Sequence, residues 1–196
     1  MIQSKDRTGY IGCSDTDMVM GNWKTKTFSK WFGEKVGLPT DHFQNKYTLA
    51  GTNYEHKILE AVREMKRLTP LQFEMDKQII LPELKIRANY DGNTEDTIYE
   101  VKTHKAEKAF KVSKTYWRQA QAEMAVWQAK YGFTPTLYIV SYPLTEEEYI
   151  NYFRDIDREK LQFDEIAFDE EFAKEYFEKV KIIAECMTIG KHPMYA

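Results

Sequence analysis

The sequence predicts a mixed α/β (α+β) domain with a small mixed central β-sheet flanked by helices. Three observations predict it. The apolar period is helical in three segments before about residue 66, switches to two between residues 73 and 103, and is helical again over 114–131. A β-rich run, TLYIVSY, follows that long helix at 136–142. The order of helices, β-hairpin, helix, strand and helices is that of a sheet with helices packed on it. At 196 residues the chain suits one domain, residues 1–196, with a sizeable core.

Each element has its own signal. Residues 12–21 read as a turn into a short helix, with Ser14 or Asp15 as N-cap. Residues 27–36 place Phe28, Trp31, Phe32 and Val36 on one helical face, with Gly37 as the stop. From Gly51 to about Met65, Tyr54, Ile58, Leu59, Val62 and Met65 recur at helical spacing. Leu84, Ile86, Ala88 and Tyr90 then alternate with Lys85, Arg87, Asn89 and Asp91, a half-buried strand. Asp91-Gly92-Asn93 carries turn chemistry, and residues 97–103 form the returning strand. Residues 145–153 predict a short acidic helix, with Thr145 and Glu148 as a capping box. A strand near 161–168 and a helix over 169–188 end the chain.

Composition excludes several classes. Hydrophobic residues make up 42% and charged residues 30%, which suits a globular chain rather than a disordered one. No stretch approaches the roughly 18–20 apolar residues of a membrane span, and MIQSKDRTGY lacks an apolar signal region. Cys13 and Cys186, the only cysteines, provide neither a disulfide framework nor a four-cysteine metal site, so a reducing cytoplasm is expected. The net charge of −3 hides an asymmetry. Residues 146–178 hold 13 acidic and 4 basic residues, a balance of −9, which leaves +6 for the rest. The basic excess is densest where Lys102, Lys105, Lys108, Lys111, Lys114 and Arg118 recur, a stripe that can follow a phosphate backbone or serve as a solvated face.

The chemistry centres on the hairpin. Asp91 lies on the polar face of its strand, and Glu100 and Lys102, two residues apart, project from one face of the next. Two carboxylates on neighbouring strands can hold a hard cation through oxygen, with a backbone carbonyl beside Glu100 as a third ligand. Lys102 then stands where it can orient a water and stabilise charge at phosphorus. The competing reading is a turn aspartate and an exposed ion pair, because D-x₈-E-x-K is a weak motif alone. Glu55 shares the inward face of Ile58 and Leu59, where a carboxylate needs a cation or hydrogen bonds; a salt-bridged first-turn glutamate is the alternative. His56 reads as a surface or packing histidine. Gln119 lies off the stripe of Trp117, Ala120, Gln121 and Met124, either aimed at a water or phosphate or facing solvent.

At these residues the chain resembles a known family. RANYDG…YEVK resembles the core of PD-(D/E)XK nucleases, the restriction-endonuclease-like fold, with Tyr90 where many members have proline. More specifically, the chain is similar to phage recombination exonucleases of the lambda exonuclease, or YqaJ-like, type. The segment IGCSDTDMVMGNWKTKTFSKWFGEKVGL resembles their opening, GTNYEHKILEAV their G-x₃-E helix, and YWRQAQAEMAV their glutamine helix. The four pieces occur in order over about the first 140 residues.

The resemblance implies that Asp91, Glu100 and the Val101 carbonyl bind Mg²⁺, with Mn²⁺ able to substitute. It implies that Glu55 assists a second ion or the water, that Lys102 is the catalytic lysine, and that Gln119 supports the site. Arg7 and Ser14, seven residues apart, match a pocket that reads a 5′-terminal phosphate, with Lys105 and Lys114 as further DNA contacts. It further implies 5′→3′ digestion of double-stranded DNA ends, a ring-shaped homotrimer and a single-strand annealing protein as partner. Such a phage or prophage protein acts in the cytoplasm of a bacterial host. An endonuclease or repair nuclease on the same fold, and a DNA-binding recombination module without hydrolysis, are the competing functions. The acidic third from about residue 145 carries no assignable motif.

Overall fold

The computed structural model of the chain describes residues 8–39 and 46–195. The early helical periods become α1 (Thr16–Met20), α2 (Lys26–Lys35) and α3 (Lys46–Met65). Thr25 caps α2, its Oγ1 accepting the Phe28 N–H at 3.1 Å, and Gly37 ends the segment in the left-handed region at φ 93°. Phe28, Trp31 and Phe32 are buried as their spacing predicts, while Val36 falls past the helix end and is exposed. α3 buries Tyr54, Ile58, Leu59 and Val62, and starts at Lys46 rather than Gly51.

Among the described residues, six strands form one mixed sheet: β1 (Ile11–Gly12), β2 (Glu74–Leu81), β3 (Ile86–Asn93), β4 (Thr97–Lys105), β5 (Thr136–Leu144) and β6 (Gln162–Ile166). β1 runs parallel to β3 and β4 parallel to β5; the other pairs are antiparallel. β2 follows one edge of β3 from Glu74–Asn93 to Leu81–Ile86. β1 and β4 therefore share the other edge. β4 pairs there only at Gly92–Tyr99 and Asn93–Ile98, and β1 only at Ile86–Ile11 and Arg87–Gly12. Between these contacts, residues 88–91 face an opening in the sheet.

Helices cover both faces. α4 (Lys114–Tyr131) and α5 (Glu170–Ile189) pack with α1 and α2 over Ile86, Ala88, Tyr90, Ile98 and Ile139. α3 covers the opposite face over Tyr99, Val101, Val140 and Tyr142. Ser113 caps α4, which ends at Gly132 in the left-handed region. Asp169 caps α5. No helix of the described residues is long and apolar enough to cross a membrane, and both cysteines are free and buried.

Three local expectations are corrected. Asp91-Gly92-Asn93 belongs to β3, and the turn lies one step later, closed by the Thr94 N–H donating to the Thr97 carbonyl at 2.8 Å. Gly92 serves close packing instead: a Cβ there would stand 2.6 Å from Leu59 Cδ2 and 2.9 Å from Phe73 Cζ. Gly92→Ala should consequently cost about 1–3 kcal/mol in urea unfolding, as overpacking of a filled core does; an unchanged midpoint would show that α3 yields freely.

Residues 145–153 form turns rather than a helix, although the capping box is made, with the Thr145 N–H donating to Glu148 at 2.7 Å. The carbonyls a helix would use are taken by α3: Tyr54 Oη donates to Asn151 O, and Lys57 Nζ to Tyr152 O and Arg154 O. Asp15 takes the N-cap position of α1, but its side chain makes no cap bond to that helix. Asp15 is committed elsewhere, accepting the Gly12 N–H at 2.9 Å and pairing with the buried Lys35 at 2.7 Å, and Ser14 is exposed in the 3₁₀ turn before α1.

Candidate active site

The opening between β3 and β4 is where the hairpin carboxylates meet. Strand alternation slips there. Tyr90 packs edge-on against Trp127 of α4, whereas Gly92 faces Leu59 and Phe73 on the α3 side, so two residues of one nominal face point opposite ways. Opposite Asp91 stands Asp76, which is skipped in the β2–β3 register and has φ 58°. Between Tyr90 and Gly92 the Asp91 side chain turns into the opening, and its Oδ2 accepts the Val101 N–H at 2.8 Å. This bond replaces the ladder contact that β3 no longer offers. In an extended strand a residue's N–H and C=O leave on the same edge, so the Val101 carbonyl borders the same opening.

Glu100 is buried at 3% exposure, and its Oε1 accepts from Lys102 Nζ at 2.5 Å and from Gln119 Nε2 at 2.6 Å. Gln119 Nε2 also lies 2.8 Å from Oε1 of Glu123, one helical turn on. Glu123 is fully buried, and sequence reading missed it. The signal was its position four residues after Gln119. The outer oxygens Glu100 Oε2 and Glu123 Oε2 are both buried without a hydrogen-bond partner. Two orphaned carboxylate oxygens beside Asp91 are a donor set that suits a hard divalent cation: oxygen ligands, excess negative charge and unfilled acceptor capacity.

The electrostatics point the same way. Burial, then the charges of Glu100 and Glu55, push the Asp91 carboxyl well above the usual carboxylate range, against the pull of Lys102 and the Val101 N–H. Burial and Glu100 likewise push Glu123 well up. Burial opposes the charged form of Lys102, but Glu100 and Asp91 outweigh it and hold the ammonium above its ordinary range. Lys102 is thus a fixed cation here, set 5.2 Å over the Tyr116 ring. The buried Cys13 thiol is pushed up by burial and then by Glu123 and Glu100, so it stays protonated beside this cluster.

Glu55 lies on α3, partly buried, and its carboxyl is raised by burial, then Glu100 and Asp76. Its near neighbours are His56 and Asp76. Among the described residues, Glu55, His56 and Asp76 are the group of three whose potential ligand atoms lie within 4.8 Å of one another, and they can coordinate a metal ion. By sequence alone His56 reads as a packing or surface residue, and Asp76 carries no signal of its own.

The outer positions are more dispersed. Arg7 lies outside the described residues. Lys105, at the end of β4, pairs with Glu146 at 3.0 Å rather than standing bare. Lys114 opens α4 and is exposed, as are Lys108 and Lys111 in the connecting loop. Arg118 pairs with Asp17 at 2.7 Å, and Thr115 donates to the same carboxylate. The basic stripe therefore divides among a strand, a loop and a helix, with part of its charge compensated.

No family model and no curated protein matches the chain. Solved structures do. The alkaline exonuclease LHK-Exo from Laribacter hongkongensis aligns with a TM-score of 0.67 at 16% identity, over 96% of this chain and 92% of that one. The same enzyme in complex with dAMP aligns at 0.63 with the same identity and coverage. A phage-related exonuclease from Haemophilus somnus 129PT aligns at 0.63 and 16% identity, over 92% of this chain and 96% of that one. At such identity the likeness establishes the fold alone: a small mixed sheet flanked by helices, similar to that of these solved exonucleases.

Proposed function

We propose that the chain is a Mg²⁺-dependent 5′→3′ exonuclease that hydrolyses one strand of linear double-stranded DNA and leaves a 3′ overhang for recombination by single-strand annealing. The observation that carries this reading is the Asp91–Glu100–Lys102 cluster at the sheet opening, with Glu100 Oε2 buried and unpartnered. Asp91, Glu100 and the Val101 carbonyl would hold the ion. When bound, Mg²⁺ supplies Lewis acidity at the scissile phosphate and lowers the pKa of a coordinated water. The chain's own groups do the rest. Lys102, kept charged by its neighbours, orients the attacking water and stabilises negative charge gathering on the phosphate oxygens. Gln119 holds Glu100 and Glu123 in place through one amide nitrogen. Glu55 approaches from α3 to position the water or a second ion.

Further parts of the proposal draw on the family resemblance: residues 1–196 as one nuclease domain, a homotrimeric ring around the duplex, an annealing protein as partner and a bacterial cytoplasm as location. Likeness to solved exonucleases over nearly the whole chain supports the general reading.

The deciding experiment digests linear duplex with 5′-phosphate or 5′-hydroxyl ends, with and without Mg²⁺, beside closed circular DNA. Metal-dependent loss of the linear species, faster from phosphorylated ends, with circles spared, is the expected result. Nicked circles would favour an endonuclease, and binding without cleavage a non-hydrolytic module. In the same assay Ser14→Ala and Arg7→Ala should erase the preference for 5′-phosphate, since a lost phosphate contact of this kind costs about 1.5–3 kcal/mol. An unchanged preference would remove both residues from the pocket.

A further inference from the structure

Glu55 and His56 are consecutive on α3, and Asp76 reaches them from β2. His56 Nε2 lies 2.9 Å from Asp76 Oδ2, and the three potential ligand atoms lie within 4.8 Å of one another. Asp76 is a strand residue held at φ 58°, where aspartate is tolerated but uncommon. An ordinary surface histidine–aspartate pair needs no third group. Here Glu55 adds a second carboxylate, which makes a set of one imidazole nitrogen and two carboxylate oxygens. All three side chains are partly exposed, which leaves a path for an ion from solvent. Glu55 also feels Glu100 across the opening, so the trio adjoins the cluster on β3 and β4, but neither Asp91 nor Glu100 brings a ligand atom into the group that lies within 4.8 Å.

We infer that Glu55, His56 and Asp76 form a separate metal site that takes a borderline divalent transition-metal ion, of the Zn²⁺ class, in preference to Mg²⁺. The donor set decides the class. Mg²⁺ favours all-oxygen octahedra and keeps much of its water, whereas imidazole nitrogen with two carboxylates suits Zn²⁺. Three protein ligands leave a coordination position open to water or a phosphate oxygen. This goes beyond the nuclease reading and does not depend on it, because the site binds its ion in a chain that cuts no DNA.

The test is calorimetric titration of the full chain with Zn²⁺ in excess Mg²⁺, which keeps the oxygen-only positions of Asp91 and Glu100 competed. One equivalent of Zn²⁺ is expected to bind. His56→Ala and Asp76→Asn should each weaken it at least ~10-fold, while His104→Ala and His192→Ala, at other imidazoles of the chain, should leave it unchanged. Absence of Zn²⁺ binding in the wild type, or equal binding by the His56 and Asp76 variants, overturns the assignment. Should a variant fail to fold, the wild type alone decides: Zn²⁺ must shift the ring resonances of His56 and leave those of His104 in place. DNA digestion is not read at any step, so failure here and failure of the nuclease proposal are distinguishable.

Discussion

Lys102→Met is expected to lower Mg²⁺-dependent digestion of linear duplex by about 10²–10³-fold, the loss typical of removing one pre-positioned charge stabiliser. The same change should destabilise the metal-free protein. Lys102 Nζ is the cation bonded to Glu100, whose side chain is 4% exposed, and Lys102 itself is 17% exposed. Breaking a pair this buried leaves an uncompensated charge, at a cost of about 3–5 kcal/mol. The two effects separate in the double variant Lys102→Met with Glu100→Gln. With both charges gone, most of the stability should return in urea unfolding, while digestion stays lost. A Lys102→Met chain that digests within tenfold of the wild type would remove Lys102 from the catalytic role.

In the presence of a chelator the protein should lose stability as pH rises from about 4 towards neutrality, and Mg²⁺ should restore it. The sign follows from the carboxyls of Asp91, Glu123 and Glu55, all raised in the folded chain above ordinary values of 3.8 for Asp and 4.5 for Glu. A raised acid keeps its proton in the folded state after the unfolded chain has released it. Its stabilising contribution is therefore complete below the unfolded value and is lost as pH rises through the folded one. A bound divalent ion opposes this by binding the deprotonated folded site, worth about 2.7 kcal/mol at a hundred times its Kd. Thermal unfolding between roughly pH 5 and pH 8 should show the Mg²⁺-induced rise in Tm growing with pH. A chelated protein equally stable across that range would mean that burial and the neighbouring carboxylates do not hold these carboxyls up.

Much of the architecture was legible because it rests on local periods. The apolar stripes of α2 and α3 bury most of the residues their spacing selects, with Val36 and Met65 at the helix ends left exposed, and alternation identifies β3. β2 was harder: of EMDKQIIL only Ile79 is buried, so its period is faint. The acidic segment after β5 misled for a different reason. Its capping box is intact, but α3 competes for the following carbonyls, and that competitor lies about a hundred residues away in sequence.

The amino-acid sequence by itself determined which polar residues the hairpin brings together. Asp91, Glu100 and Lys102 are brought together by a strand, a turn and a strand, an arrangement of short sequence separation. Tertiary structure alone decided how they are aimed and what joins them. The slip in alternation at Asp91 depends on α3 and α4 covering the two faces, so that Tyr90 and Gly92 point to opposite sides. The burial of Glu123 beside Glu100 needs α4 laid across the sheet, and the approach of His56 to Asp76 needs α3 against β2. Local periodicity specifies the face a residue occupies. The partner across that face is set by long-range packing, which no single window of sequence contains.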